Sequence, residues 1–576
     1  MLWRGLLTDW QLPPLPENWK DRPLREQVLW RRGLHEEDAQ RRYFQGQLSD
    51  LASPTDLPDM EKAVALLAKA IREKALVFIA GDYDVDGISS AALLGRFLGR
   101  WGVPYHIRLP TREEGYGLSP KIIQEAISQR PGLFISVDCG TKNPGEIAQL
   151  KAAGILTIIC DHHVVPENPE AWPPADAFIN PHRPDASGAY RELSAAGVVF
   201  QLLHAYLLSE KGGTLTPLEE TIDIVGVATL ADVMPLSGEN RLLSRLALQK
   251  LQDEPILGYQ TLLQTLSLTK CRVESRDVVF RIVPRLNAVG RLYKPEPALR
   301  LLLTADPAEA QAIVKQLEQY NRERQDLQDK AIGEAIYMFR ERYGANPSLW
   351  PKALVVANPT WHKGVIGLVA AQLTELYERP SAVLTQSAQA GIWVGSARSV
   401  EGVPLHELIE GGCRPYLLKG GGHAMAAGFS LQDKYLREFG KAFIVGASHY
   451  LAQREHKVSL LDGDILAGQV VKEELDRLTS DFEPVGPANP APRYLLRSVR
   501  VISQDGRTLM IYAADGQSNG AFEGRVTFSS YRWSEDWPKL MRQQEGLVVT
   551  PFRSQAGRPI QLKVRDVIIS SESANQ

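Results

Sequence analysis

Short apolar runs alternate with helical repeats through the first half of the chain. Residues 76–80 (LVFIA) form an unbroken apolar run, preceded by a helical pattern at 60–73 and followed by apolar positions at helical spacing from Leu94 to Trp101. Such runs are typical of parallel strands that are buried on both faces. Further strands are predicted at 105–109, 133–137 and 155–160, and residues 195–233 are predicted to be largely helical. The alternation predicts a doubly wound α/β domain.

The pattern changes twice in the second half of the chain. Residues 306–343 contain no proline after Pro307 and few β-branched residues, which predicts one long helix connecting two domains. Strands predicted at 353–357, 382–385 and 392–396 indicate a second α/β domain. Residues 483–493 (EPVGPANPAPR) have the composition of a linker. Strand-like runs beyond it predict a small β-barrel of the OB type, and they lie at 494–501, 508–513, 525–528, 547–552 and 561–567.

Composition adds limits on class and compartment. A chain of 576 residues predicts about three to four domains. The net charge of −3 gives no global signal for nucleic acid, although a local groove can still be basic. The four cysteines are far apart, which predicts reduced thiols. Because no signal peptide and no apolar run of about 18 residues is found, we expect a cytoplasmic protein without a membrane partner.

Three carboxylates follow the first predicted strand at alternate positions. Asp82, Asp84 and Asp86 repel one another, and no Lys or Arg stands between them. Ligands of an open parallel sheet bind beyond the carboxyl ends of its strands, where this acidic turn would lie. Hard oxygen ligands favour a divalent cation. The alternative is an acidic surface turn or a helix N-terminus rich in aspartate.

Later strand ends supply more residues that bind metals. Asp138 follows the strand at 133–137, Asp161, His162 and His163 follow the strand at 155–160, and Asp232 follows a helical run. These strand ends would converge on one crevice, with enough ligands for two cations. Because oxygen ligands outnumber nitrogen ligands, Mn²⁺ or Mg²⁺ is favoured over Zn²⁺. A two-metal site indicates phosphoester hydrolysis, whereas the alternative for the histidine pair is one buried, hydrogen-bonded ring and one solvated ring.

These residues lie in motifs that resemble the DHH phosphoesterase superfamily. The motifs are GDYDVDG, EEGYG, SVDCG, DHH, ADVMPL, PRLNAVGRL, WHKGVIG, GSARS and GGGHAMAAG. Their joint order and spacing make the resemblance specific, and it extends over nearly the whole chain. Within the superfamily the chain resembles bacterial exonucleases, which implies metal-dependent degradation of single-stranded DNA to mononucleotides, 5′ to 3′, in DNA repair and recombination. Implied partners are single-stranded DNA, a single-strand-binding protein and a helicase.

The resemblance also implies a domain order. An N-terminal helical extension at 1–55 would precede a DHH catalytic domain with a parallel sheet at 56–305. A connecting helix at 306–345 would lead to the companion DHHA1 domain at 346–455, which binds substrate in this superfamily. Residues 456–576 would hold a linker and the OB-fold domain.

The family pattern implies two metal sites. Asp84 and Asp138 would bind one cation. Asp86, Asp138, His162 and Asp232 would bind the other, so that Asp138 bridges the pair. Both cations would be Mn²⁺ or Mg²⁺, two in each active site.

Three further positions complete the implied centre. His163 would lie near the scissile phosphate, and Asp161 would orient the histidines from behind. Some relatives carry a ligating histidine just before the acidic turn, where this chain has Ala80, which cannot bind a metal. Asp82 or a water would then take that role.

Substrate contacts are implied mainly in the second domain. Glycines in GGGH let a backbone approach a phosphate closely, and basic side chains nearby add charge. The candidates are Arg285, Arg291, His362, Ser396, Arg398, Gly421, Gly422 and His423. The alternatives are a tight structural turn for the glycines and solvated surface positions for the arginines.

Residues of the predicted barrel are weaker candidates for strand binding. OB folds often bind single strands through aromatic and basic side chains. Aromatic residues on short strands are, however, more often part of a core. The candidates are Tyr494, Tyr512, Phe528, Arg553 and Lys563.

Two other functions compete with an exonuclease. A DHH phosphatase that acts on short oligonucleotides or cyclic dinucleotides usually ends after the second domain, whereas this chain continues to residue 576. A catalytically inert DNA-binding scaffold would have lost ligands. This chain retains Asp84, Asp86, Asp138, Asp161, His162, His163 and Asp232.

Overall fold

The structure is a computed structural model that describes most of the chain. The described residues are 2–4, 9–186, 188–210, 213–269, 272–453, 458–466, 472–497, 499–503, 509–513, 522–524, 544–552 and 561–569. Over these residues, none of the helices is long and apolar enough to cross a membrane.

The N-terminal segment contains strands as well as the predicted helices. Its elements are β1 (Leu2–Arg4), β2 (Asp9–Gln11), α1 (Leu24–Arg31) and α2 (Glu37–Gln45), with 3₁₀ turns at Glu17–Trp19, Leu48–Asp50 and Pro54–Asp56. The prediction of helices alone was wrong for the first residues. Two strands form there because Trp10 on β2 is buried against Leu461, Leu495 and Val548 of the C-terminal region.

The first α/β domain is built on a five-stranded parallel sheet. Its strands are β3 (Val77–Ala80), β4 (Tyr105–Arg108), β5 (Leu133–Val137), β6 (Leu156–Cys160) and β7 (Ala177–Ile179). The spatial order is β4-β3-β5-β6-β7, and all neighbours are parallel. The order reverses beside β3, so the crevice at the carboxyl ends of β3 and β5 is the topological switch point where ligands bind. The three-residue β7 was too short to predict from its pattern.

Helices cover both faces of this sheet. They are α3 (Met60–Glu73), α4 (Val85–Arg100), α5 (Pro120–Gln129), α6 (Pro144–Ala152), α7 (Ala195–Ser209), α8 (Thr216–Glu219), α9 (Ile222–Ala231), α10 (Gly238–Asp253), α11 (Leu257–Thr265), α12 (Ser275–Asp277), a π-helix (Val278–Ile282), α13 (Val283–Leu292) and α14 (Glu296–Leu303). The larger core packs α3, α4, α7 and α9 on one face, and the smaller core packs α5 and α6 on the other. The doubly wound prediction is confirmed.

One long helix, α15 (Pro307–Tyr343), connects the two α/β domains as predicted. The Asp306 side chain caps it by accepting the N–H of Ala308 at 2.9 Å, and Gly344 follows its end. Its first half buries Ile313 and Leu317 in the first core. The second half buries residues such as Phe339 in the core of the next domain. The helix therefore fixes the two domains to one rigid element.

The second α/β domain has a mixed sheet. Its elements are β8 (Leu354–Ala357), α16 (Ile366–Tyr377), β9 (Ser381–Gln386), β10 (Ile392–Arg398), α17 (Leu405–Glu410), β11 (Lys419–Gly422), β12 (Ala426–Gln432) and α18 (Leu436–Ala452). The order is β11-β12-β10-β9-β8, with only β8 and β9 parallel. The glycine run at 420–422 forms the edge strand β11, so the alternative of a tight turn was wrong for these glycines.

The C-terminal region is described in part. Its elements are β13 (Val458–Leu460), β14 (Gly463–Leu466), α19 (Lys472–Asp481), β15 (Tyr494–Arg497), β16 (Val499–Ser503), β17 (Leu509–Ala513), β18 (Phe522–Gly524), β19 (Gln544–Phe552) and β20 (Gln561–Ile569). They form sheets ordered β14-β15-β19-β20 and β16-β17-β18, while β13 joins β1 and β2.

Several predictions for this region fall outside the described residues. These are the strand at 525–528 with Phe528, Arg553, and the side chains of Tyr512 and Lys563. Tyr494 is fully buried, so it belongs to a core, as the alternative held. The closed OB-type barrel stays a prediction.

The segment predicted as a linker is docked against the first domain. Arg241, itself buried, donates to the carbonyl oxygens of Phe482, Glu483 and Pro484 at 3.1 to 3.3 Å. The backbone N–H of Ser275 donates to the Glu483 carboxylate at 2.9 Å. The prediction of a linker was therefore wrong, because hydrogen bonds hold this segment against the first domain. A composition rich in Pro and Gly does not reveal hydrogen bonds to residues that are far away in the sequence.

Candidate metal centre and substrate cleft

The acidic turn after β3 is shaped by the start of α4. Asp84 caps this helix, since its Oδ1 accepts the backbone N–H groups of Asp86 and Gly87 at 3.1 and 3.2 Å. A Cβ at Gly87 would lie 2.5 Å from the backbone nitrogen of Asp82, so only glycine fits. This close approach folds the turn tightly at the carboxyl end of the strand.

Asp86 is buried and held by the start of α7. Its carboxylate oxygens accept the backbone N–H groups of Ala195 and Ala196 at 2.8 and 2.9 Å. The N-terminus of a helix carries partial positive charge, which stabilises a buried carboxylate. The same carboxylate lies 3.8 Å from Nε2 of His162 through its Oδ2.

His162 lies among three carboxylates from three different elements. Its Nε2 is 3.3 Å from Asp138 Oδ1, 3.6 Å from Asp232 Oδ2 and 3.8 Å from Asp86 Oδ2. Asp138 adopts a left-handed conformation, with φ of 58°, that turns the chain sharply after β5. Asp232 directly follows the last residue of α9. The structure thus brings together all four side chains that the sequence assigns to one cation.

Asp138 also belongs to a second group of ligands. Oxygen atoms of Asp82, Asp84 and Asp138 lie within 4.8 Å of one another. Asp82 Oδ1 is buried without a hydrogen-bond partner among the described residues, which is rare for a carboxylate oxygen. A cation at this point would satisfy it. Asp82 therefore offers the ligand atom that Ala80 lacks.

Burial and the charges of neighbouring carboxylates raise the pKa of Asp82, Asp138 and Asp232. Burial and then the charge of Asp84 raise the pKa of Asp82 and of Asp138 well above the usual value. Burial and then the charges of Asp86 and Asp84 raise the pKa of Asp232 to about 8. Raised pKa values of this kind favour the protonated carboxyl groups, and bound cations would take the place of those protons. A donor set rich in carboxylates with one histidine fits Mn²⁺ or Mg²⁺.

Asp161 is fully buried behind the two histidines. Its Oδ1 accepts hydrogen bonds from His163 Nδ1 and from the backbone N–H of His162, both at 2.8 Å, and its Oδ2 accepts the N–H of Thr141 at 3.0 Å. Although burial opposes the shift, these hydrogen bonds and the histidine charges hold the pKa of Asp161 below its usual value. The Nδ1 atom of His163 also lies 3.9 Å from Asp138 Oδ1, so this ring adjoins the ligand groups.

Tyr116 is a site residue that the sequence analysis did not assign. Its hydroxyl donates to the carbonyl oxygen of Asp138 at 3.2 Å and lies 3.0 and 3.2 Å from the two ring nitrogens of His163. Burial and then the charge of Asp161 raise the pKa of Tyr116, so the phenol stays neutral. The signal was available, because the EEGYG motif follows β4 at the same edge of the sheet.

A cluster of basic residues adjoins the acids. Burial and then the charges of Arg112, Arg324 and Arg398 lower the pKa of Arg291 to about 10. The guanidinium of Arg291 makes no hydrogen bond or ion pair with any residue that the structure describes. Crowded cations without carboxylate partners need an anion from outside the chain. Arg112 and Arg324 were missed from the sequence because each lies on a separate element.

Arg398 and Ser396 project from β10 into this cluster. Arg398 Nη1 donates to Ser396 Oγ at 3.1 Å, and burial lowers the pKa of Arg398. Gly367 leaves them space, because a Cβ there would lie 3.1 Å from Ser396 Oγ and 3.4 Å from Arg398 Nη2. The two side chains are therefore held beside each other in the space that Gly367 leaves.

The GGGH segment lies at the exposed edge of the second sheet. Gly421 and Gly422 are on β11, and His423 follows directly. Burial and then the charges of Lys142 and His163 lower the pKa of His423. The sequence had not indicated Lys142.

Two other candidates have partners within the chain. The Arg285 guanidinium forms an ion pair with Glu318 on α15, so its charge is balanced. His362 Nδ1 accepts the N–H of Gly364 at 3.0 Å, and burial lowers the pKa of this histidine. Arg285 therefore differs from Arg291 and Arg398, because a carboxylate of the chain already balances its charge.

The sequence matches two protein families in series. Residues 76–229 match the DHH family, N-terminal domain, and residues 351–444 match the DHHA1 domain. The chain is 33% identical over 506 residues to the single-stranded-DNA-specific exonuclease RecJ of Thermus thermophilus, covering 86% of this chain and 69% of that protein. This chain belongs to the RecJ family.

Other RecJ proteins agree with this assignment. The single-stranded-DNA-specific exonuclease RecJ of Bacillus subtilis (strain 168) is 31% identical over 479 residues, which cover 83% of this chain and 59% of that relative. The chain thus spans less than two thirds of that RecJ. The crystal structure of RecJ from Thermus thermophilus in complex with Mn²⁺ superposes with a TM-score of 0.76 at 27% identity, covering 98% of this chain and 80% of that one. The same protein was also solved with Mg²⁺, with a TM-score of 0.71.

Proposed function

We propose that this chain is a metal-dependent exonuclease that degrades single-stranded DNA to mononucleotides in the 5′ to 3′ direction, in DNA repair and recombination. The observation that carries the proposal is that an acidic cluster and a basic cluster lie next to each other. The carboxylates form ligand groups that have Asp138 in common and need cations to balance their charge. Arg291 and Arg398 need an anion, which a phosphate would supply. A phosphodiester with divalent cations supplies both.

The two ligand groups fit two cations, Mn²⁺ or Mg²⁺. One would be held by Asp82, Asp84 and Asp138, and the other by Asp86, Asp138, His162 and Asp232. When bound, such a pair supplies Lewis acidity and a strong nucleophile at neutral pH.

The remaining steps fall to the chain's own residues. Asp161 fixes the orientation of His163, so that Nε2 can hold a proton beside the leaving oxygen. Tyr116 donates to the carbonyl of Asp138 and holds the His163 ring from the open side.

The basic cluster supports binding of a strand by a phosphorylated end, and the 5′ end is the one that the family resemblance implies. A terminal phosphate carries up to about two negative charges at neutral pH, whereas an internal phosphodiester carries about one. Several guanidinium groups without carboxylate partners favour the more highly charged group. We expect Arg291, Ser396 and Arg398 to bind the 5′ phosphate, which sets the next phosphodiester at the metal centre.

Contacts between the two domains limit the width of the cleft. Lys363 Nζ donates to the carbonyl oxygen of Arg112 at 3.4 Å. A Cβ at Gly364 would lie 2.1 Å from the carbonyl oxygen of Arg291, so the backbones touch there. A cleft closed in this way favours one strand over two, and we expect a blunt duplex to be a poor substrate.

The setting of the reaction follows from its substrate. Single strands arise by unwinding and are coated in cells, so a helicase and a single-strand-binding protein are the proposed partners. The cytoplasm is the proposed location, since the DNA to be repaired lies there in bacteria.

One experiment separates this proposal from its rivals. Purified protein is incubated with 5′-labelled and 3′-labelled single strands, blunt duplexes and dinucleotides, in Mn²⁺, Mg²⁺ or chelator. We expect labelled mononucleotide at once from the 5′ label, little from duplex and none in chelator. Cleavage of dinucleotides alone would indicate a DHH phosphatase, binding without cleavage would indicate a scaffold, and early release of the 3′ label would overturn the direction.

A further inference from the structure

The loop between β4 and α5 sends two side chains into the cleft. Arg112 donates through Nε to the carbonyl oxygen of Gly290 at 3.1 Å, and its guanidinium lies 4.7 Å from the centre of the Tyr83 ring. Four residues later, Tyr116 contacts His163 and the backbone of Asp138. One short loop therefore reaches both the basic cluster and the metal centre.

Glu114 lies midway between these two residues in the sequence, and its carboxylate contacts Arg108 and, at 4.0 Å, Lys121. Its side chain is only 11% exposed. Oε1 accepts a hydrogen bond from Arg108 Nη2 at 2.7 Å, and Oε2 accepts the backbone N–H of Thr111 at 2.8 Å. The N–H of Glu114 donates back to the Thr111 hydroxyl at 3.3 Å. The carboxylate thus closes the loop on itself and ties it to β4.

Arg108, which binds the Glu114 carboxylate, is itself fixed to two elements of the domain. Arg108 ends β4, and its Nε also bonds Oε2 of Glu125 on α5 at 3.2 Å. Arg108 therefore keeps a carboxylate partner if Glu114 loses its charge, which limits the cost to overall folding.

The Tyr116 segment needs such an anchor because of its glycines. Gly115 and Gly117 flank the tyrosine with φ of 90° and 88°, which are conformations that favour glycine. Glycine also gives the backbone the widest range of alternatives. Without a fixed point at Glu114, Tyr116 would have many orientations other than the one that meets His163.

We infer that Glu114 is a positioning residue, which holds Tyr116 on His163 and Arg112 in the basic cluster. The inference rests on the proposed function for the identity of the substrate. The contacts of Glu114 do not depend on that function. Glu113 is a matched control in the chain, because it is the adjacent glutamate, is exposed and has no hydrogen bond or ion pair within the described part of the structure.

The test compares Glu114→Gln with Glu113→Gln, alone and combined with Tyr116→Phe. We expect Glu114→Gln to lower kcat by about 10-fold to 100-fold, as a displaced catalytic contact does, and to raise KM for a single strand several-fold. Mn²⁺ binding by calorimetry should match wild type, which shows that the domain is folded. Glu113→Gln should leave kcat and KM unchanged.

The combination with Tyr116→Phe identifies the route of the effect. If Glu114 acts through the tyrosine hydroxyl, Glu114→Gln should lower kcat less than about twofold in the Tyr116→Phe background. A wild-type kcat in Glu114→Gln would overturn the inference. So would a decrease in kcat that is as large in the Tyr116→Phe background as in the wild-type background. If wild type hydrolyses a different phosphodiester, the proposed function fails, and the same comparison on that substrate still decides the role of Glu114.

Discussion

The acidic cluster around Asp138 and the basic cluster around Arg291 have opposite charge and one property in common. Among the residues that the structure describes, neither cluster contains enough opposite charge to balance its own. Burial and repulsion raise the pKa of Asp138 and Asp232, whereas burial and repulsion lower the pKa of Arg291. The charge of Asp84 partly offsets the shift at Arg291, but burial and repulsion within the basic cluster outweigh it.

The difference between the clusters indicates what each one binds. Carboxylates on short loops at strand ends give fixed oxygen atoms, which suit small cations. Guanidinium groups on long side chains from several elements give planar donor sets, which suit phosphate. Substrate and cations should therefore stabilise one another's binding, and the predictions below remove one cluster at a time.

The largest effect is expected from Asp138→Asn, which removes the charge shared by both ligand groups. Because two cations lose a ligand at once, we expect turnover to fall by about three orders of magnitude or more. Strand binding in chelator should change little, since the basic cluster is intact. Calorimetric Mn²⁺ titration measures the loss of cation binding. Turnover near that of wild type in Mn²⁺ would refute the shared role of Asp138.

A smaller effect, confined to binding, is expected from Arg398→Ala. Losing one charge-assisted contact to phosphate costs about 1.5 to 3 kcal/mol, so KM for a 5′-phosphorylated strand should rise about 10-fold to 100-fold. Strands with a 5′ hydroxyl should show a smaller change. Mn²⁺ affinity should equal that of wild type, and its loss would place Arg398 in the metal centre instead.

The metal-free protein should lose stability as pH rises. Acids whose folded pKa is raised stabilise the protein below the unfolded pKa, and this stability is lost as pH rises through the folded pKa, about 8 for Asp232. We expect a loss of about 1 to 3 kcal/mol between pH 5 and 8 after allowance for solvent screening. The lowered pKa of Arg291, about 10, adds no slope in this range. Urea unfolding in chelator tests this, and Mn²⁺ should flatten the slope.

The smallest effect is expected from Arg285→Gln. Its guanidinium is paired with Glu318, so it contributes little free positive charge to the basic cluster. We expect KM to change by less than about threefold, because this mostly buried ion pair already balances the charge of Arg285. A rise in KM equal to that of Arg398→Ala would mean that the ion pair opens for substrate.

The metal centre could be predicted from the sequence because strand ends of one parallel sheet share an edge. Asp84, Asp138 and His162 each follow an apolar run, and that rule alone brings them together. Tyr116 and Lys142 follow strands too, but neither belongs to a residue type that signals a metal.

Other features depend on contacts that no local pattern contains. Arg291 and Arg398 are about a hundred positions apart in the chain, and only the packing of two domains on α15 brings them together. The glycine run at 420–422 forms an edge strand because β12 offers it backbone partners. Ordering of this kind is tertiary and overrides local composition.

The docked segment around Glu483 has a consequence for how this protein can be divided. Recombination, natural or engineered, tends to exchange modules at exposed joints that proteases also find. Here the connecting segment is not exposed, because Arg241 and Arg32 donate hydrogen bonds to its carbonyl oxygens. If the chain were cut near residue 480, Arg241 would lose three acceptors and Arg32 would lose the carbonyl of Pro490. A chimera or truncation that keeps the N-terminal domains intact must therefore retain residues 482–493, and we expect this stretch to resist limited proteolysis for as long as the first domain stays folded.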